Sequence, residues 1–75
     1  MGEEEGYMYT LTITMIDSRG LKYTAEKYGA TSVREEEERL IVVFAQKPPE
    51  ELDGWLRSLM WNHRIREYSM QYEGA

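Results

Sequence analysis

At 75 residues, with a formal net charge of −5 and no cysteine, the chain is sized for one small domain whose single core is barely sufficient, and disulfide frameworks and thiolate metal centres are excluded. The acidic balance weighs against nucleic acid as a default ligand, because that affinity rests on neutralising phosphates. No apolar run approaches membrane-spanning length, and the opening MGEEEG is acidic where a secretory leader is basic, so a cytoplasmic protein with no membrane association is expected.

Residues 1–6 read as a disordered acidic tail, residues 7–72 as one domain and residues 73–75 as a second short tail. From Tyr7 to Ile16, Tyr7, Tyr9, Leu11, Ile13 and Met15 alternate with Thr10, Thr12 and Thr14, the pattern of a half-buried antiparallel strand. Asp17, Ser18, Arg19 and Gly20 suit a hairpin turn, Asp at its start and Gly at its left-handed end. A return strand is expected from Leu21 to about Tyr28, alternating Leu21, Tyr23 and Ala25 against Lys22, Thr24 and Glu26. Gly29 marks a bulge or bend before strand-like Thr31, Ser32 and Val33.

Glu35, Glu36, Glu37 and Glu38 are most simply a solvated hairpin tip, since four adjacent like charges repel in any compact setting. The run Leu40 to Ala45 is apolar at every position, as in a strand buried on both sides, which favours an interior place in the sheet. Pro49 then suits the start of a helix, with Glu50, Glu51 and Asp53 near the positive end of its dipole. Leu52, Trp55, Leu56, Leu59 and Met60 form one apolar stripe ~140° wide. The last strand is His63 to Tyr72, with Tyr68, Met70 and Tyr72 on one face and a bulge near Ile65 to repair the alternation.

These elements predict an α+β domain of order β-β-β-α-β, a four-stranded, mostly antiparallel sheet with one helix packed on one face. The fourth strand returns through the helix to run parallel to strands one and three, beside either of them. One helix shelters one face of the sheet. The second apolar flank of Leu40 to Ala45 is then left for self-association or for a partner, worth roughly 3–6 kcal/mol over two or three side chains.

No nucleophile-base constellation, phosphate loop or metal motif is present, so catalytic residues, metal ligands and cofactors are not expected. The single histidine, His63, follows the helix and reads as a capping or surface residue. Trp61 and Gly54 fall opposite the apolar stripe. The helix is expected to end near Met60 with Trp61 folded under the sheet edge; the alternative is a contact stripe of Gly54, Arg57, Ser58 and Trp61, with Arg57 and Trp61 as anchors.

The functional expectation is a non-enzymatic protein-interaction domain, an adaptor or inhibitor of the kind phages and mobile elements carry. It would use an open sheet face and the acidic patches, with Glu35, Glu36, Glu37, Glu38, Arg57 and Trp61 as binding residues. Two alternatives stand beside it. One is a homodimer joined face to face or edge to edge. The other is a single-stranded nucleic-acid binder stacking bases on Tyr7, Tyr9, Tyr23, Tyr68 and Tyr72, on the face away from the helix and flanked by Lys22, Lys27, Arg64 and Arg66.

Overall fold

The computed structural model of the chain describes residues 8–73; the expected tail over 1–6, Tyr7 and residues 74–75 lie outside them. In chain order the elements are β1 (Met8–Met15), α1 (Leu21–Lys27), β2 (Ser32–Glu35), β3 (Arg39–Phe44), α2 (Glu51–Trp61) and β4 (Ile65–Glu73). The described residues therefore form an α+β fold of four strands in one sheet, ordered β2-β3-β1-β4 and wholly antiparallel. This is the split β-α-β arrangement of ferredoxin-like domains, a topology that hosts many unrelated functions and implies none. No helix among the described residues is long and apolar enough to cross a membrane.

The expected second strand is a helix. Leu21 and Ala25, the residues read as one face of a strand, are also one helical turn apart, and both are buried against the sheet while Tyr23 stays exposed. Asp17 to Gly20 accordingly form a strand-to-helix loop instead of a hairpin turn. Gly29, at φ 95°, ends α1 rather than bulging a strand: its N–H donates to the Glu26 carbonyl at 3.1 Å. With this second helix in place, β4 pairs antiparallel beside β1 and takes the edge, while β3 holds the interior position that its apolar run favours.

Both helices cover the same face. Leu11, Ile13 and Met15 of β1 and Leu40, Val42 and Phe44 of β3 join Leu21, Ala25, Leu52, Leu56, Leu59 and Ile65 in one core, each at most 7% exposed. The opposite face corrects the expectation of a strand buried on both sides. Ile41 and Val43 lie there only half-buried, and Ala45, beyond the end of β3, is exposed. Their cross-strand neighbours are polar: Thr12 and Arg34 beside Ile41, Thr10 and Ser32 beside Val43. Threonine methyls and the arginine stem at cross-strand spacing are enough to shield two aliphatic side chains partly, without a covering layer. The open face is thus chiefly hydroxyl-bearing and is not a second apolar flank.

The bulge expected near Ile65 is present. Thr14 pairs with Glu67 and Met15 with Ile65, which leaves Arg66 as the extra residue and returns Ile65 to the core face.

Candidate interaction surface

The antiparallel order brings several chain segments to one end of the sheet. Met15 N–H donates to the Glu38 carbonyl at 2.7 Å, and the Ile16 and Asp17 N–H groups both donate to the Arg64 carbonyl at 2.9 Å. The acidic tip between β2 and β3, the loop leaving β1 and the end of α2 are thereby tied together. Asp17 is the knot. It accepts from the Arg19 backbone N–H at 3.2 Å and from the Arg19 guanidinium at 3.0 and 2.9 Å, while the Arg64 Nε lies 3.6 Å from its carboxylate. The Arg64 Nη2 donates to the carbonyls of Asp17 and Arg19. The Arg19 side-chain hydrogen bond, followed by its backbone N–H and the charges of Arg19 and Arg64, holds the Asp17 carboxyl well below the usual carboxylate range. In return Asp17 raises the Arg19 guanidinium above its ordinary value.

The tip is a hairpin turn, closed by the Glu36 N–H donating to the Arg39 carbonyl at 2.7 Å. Its four glutamates are not equivalent. Glu36 is half-buried and flanked by Arg34 at 3.5 Å and Arg39 at 3.9 Å, so its charge is largely matched locally, whereas Glu35, Glu37 and Glu38 are exposed. Among the described residues no group of three or more acidic, histidine or cysteine side chains is arranged to hold a metal ion, and this includes the tip.

α2 extends through Trp61, contrary to the expectation that it stops at Met60. Trp61 is not tucked under the sheet: 84% of its surface is exposed. Asn62 caps the helix, and the next two N–H groups fold back, His63 to the Met60 carbonyl at 3.1 Å and Arg64 to the Leu59 carbonyl at 2.8 Å. This is the Schellman pattern, with His63 in the left-handed conformation at φ 59° where glycine is usual. His63 therefore caps through its backbone. Because the turn is tight and Ile65 must enter the core, the chain reverses before the indole can fold beneath the sheet.

Arg57 shares the exposed stripe with Gly54, Ser58 and Trp61, its guanidinium 3.1 Å from Asp53 one turn earlier. Asp53 also accepts from the Tyr68 hydroxyl at 3.4 Å, which joins the stripe to β4. Trp55, on the inner side, packs against Tyr28 with ring centroids 5.5 Å apart and bridges the two helices.

Among the described residues, none of the tyrosines expected on the face away from the helices lies there; Tyr7 is outside the described residues. Tyr9, Tyr68 and Tyr72 pair in register with Phe44, Ile13 and Tyr9, so they share the helix side of the sheet, and Tyr23 lies on α1. That removes the stacking platform from the open face. It also reveals a feature sequence reasoning missed. Between α2 and the β1–β4 ribbon lies an apolar cleft of about 280 Å³, floored by Tyr9, Leu11, Tyr68 and Met70 and roofed by Pro49 and Leu52. The available signal was parity: once β4 lies beside β1, Met70 must share a face with Leu11.

Compared with protein-family models, with curated proteins and with solved structures, the chain matches none of them.

Proposed function

We propose that the chain is a protein-interaction domain, an adaptor or inhibitor rather than an enzyme, which binds a partner protein with Trp61 and Arg57 of α2 and with the acidic tip at the same end of the sheet. One observation carries the reading: a tryptophan 84% exposed in the last turn of a well-packed helix. Large aromatic side chains bury 150–250 Å², so covering Trp61 is worth about 3–5 kcal/mol before the costs of association. Arginine and tryptophan on one stripe are the residue types that anchor interfaces. Glu35, Glu37 and Glu38, lacking the local arginines that match Glu36, favour a basic partner surface and faster encounter at low salt.

The test is quantitative binding to a purified partner obtained with the wild-type chain as bait. Trp61→Ala is expected to weaken binding by at least about thirtyfold, the scale of a hot-spot residue, with thermal stability unchanged. Reversing Glu35, Glu37 and Glu38 to lysine is expected to slow association and flatten its salt dependence. Equal affinity for wild type and Trp61→Ala would overturn the reading.

A further inference from the structure

The sheet has two edges, and they are defended very differently. β2 is four residues long and carries Arg34 and Glu35. β4 is nine residues long, and among the described residues no strand lies beyond it. Its charges sit at Arg66, Glu67 and Glu73, which leaves the central run Tyr68-Ser69-Met70-Gln71-Tyr72 without one. Soluble proteins usually blunt a long edge with inward charges, proline or a mid-strand bulge; here the bulge falls at the start of the strand, beside Ile65.

We infer that this edge pairs with a second copy of the chain, β4 to β4, antiparallel about a two-fold axis at Ser69. β4 is complementary to itself in one antiparallel register. Antiparallel partners share a face of the sheet, so the two-fold must pass through a residue, and the central candidates are Ser69 and Met70. About Met70, Glu67 falls opposite Glu73 of the second copy twice, a like-charge pairing on each side. About Ser69, Glu67 faces Gln71 of the second copy, Tyr68 faces Met70, and Arg66 falls beside Tyr72 and Glu73. Only this second register sets aromatic against thioether and cation near carboxylate with no like charges opposed.

The cleft argues the same way. Tyr68 and Met70, half-buried and 40% exposed respectively, form the β4 part of its floor. In the Ser69 register each is set against the other's counterpart across the seam, which extends the apolar floor into the second subunit on the helix side. The resulting eight-stranded sheet removes both long edges and leaves only the short β2 strands outermost. This pairing is independent of the Trp61 surface, and either can fail without the other.

The native chain has no cysteine, so single thiols report the register cleanly. Residues opposite one another across an antiparallel seam have Cα atoms about 4.5–5.5 Å apart, within disulfide reach. Ser69→Cys is therefore expected to oxidise to a covalent dimer, whereas Gln71→Cys, which lies opposite Glu67 and away from its own counterpart, is not. Sedimentation of the wild-type chain from micromolar to millimolar concentration is expected to show a monomer–dimer equilibrium. Gln71→Glu, at an exposed position, creates two like-charge contacts and raises the dissociation constant about two- to thirtyfold, and Gln71→Lys lowers it. Circular dichroism checks that each variant is folded. A monomer at every concentration overturns the inference and assigns the edge to a heterologous strand or to none. So does cross-linking of Gln71→Cys as readily as Ser69→Cys.

Discussion

Replacing Gly54 with alanine is expected to stabilise the domain by about 1 kcal/mol, the difference in helix propensity between the two residues. Gly54 lies inside α2 on its solvent side, and a Cβ built on its backbone meets nothing within 4 Å. Neither a clash nor a new contact can offset the entropy that glycine retains in the unfolded chain. For a domain of this length the gain raises Tm by about 4–8 °C. Gly29 supplies the control. A Cβ there also meets nothing within 4 Å, but the backbone is left-handed at φ 95°. Alanine at that position is expected to cost about 1–2 kcal/mol through backbone conformation alone. Two substitutions with equally empty surroundings thus move stability in opposite directions, by about 2–3 kcal/mol in total. Urea and thermal denaturation followed by circular dichroism measure both. If Gly54→Ala is neutral or harmful, or Gly29→Ala is harmless, backbone conformation is not what decides at these sites.

Three further outcomes follow from the same geometry. His63→Gly relieves a left-handed histidine in the cap of α2 and is expected to stabilise by about 0.5–1 kcal/mol, seen as a higher urea midpoint; a lower midpoint would mean that the imidazole makes a contribution of its own. Asp17→Asn weakens the knot with Arg19 and Arg64 and is expected to destabilise at neutral pH. Because the folded-state carboxyl lies below its ordinary value of 3.8, the wild type's advantage is complete above that value and is lost as pH falls through the folded-state value. Paired urea titrations from neutral to strongly acid pH check this, and an advantage that grows on acidification contradicts it. Leu56→Ala, at a position 2% exposed on the inner face of α2, is expected to cost about 2–5 kcal/mol against a total stability of about 4–11 kcal/mol for a chain of this length. A strongly reduced or abolished unfolding transition is the expected readout, and a near-wild-type melt would contradict the packing described.

Where local pattern and long-range need agree, the sequence reads correctly. β1 alternates because one face meets the helices and the other meets water, so Leu11, Ile13 and Met15 are recognisable as core from the threonines between them. Leu52, Leu56 and Leu59 declare α2 in the same way, and the glutamate tip is legible because like charges have one inexpensive place to go. Trp61 marks the limit of this reasoning. A helical wheel puts it on the solvent side, yet the preference for burying an indole suggested that the helix stops short. The Schellman turn at Asn62 and His63 shows that the wheel was the better guide.

By itself the sequence determined which residues are apolar and with what local period, which suffices for β1, β3, α2 and the identity of most of the core. Only the tertiary structure decided whether Leu21 to Lys27 is strand or helix, because Leu21 and Ala25 satisfy both a period of two and a turn of 3.6. It likewise decided that β4 lies beside β1, and with that the side of the sheet the tyrosines occupy. The reason is physical: periodicity is a property of neighbours along the chain, whereas cover is a property of the assembled sheet. A helix as short as α1 is marginal alone and forms because the β2–β3 half of the helix side would otherwise be wet.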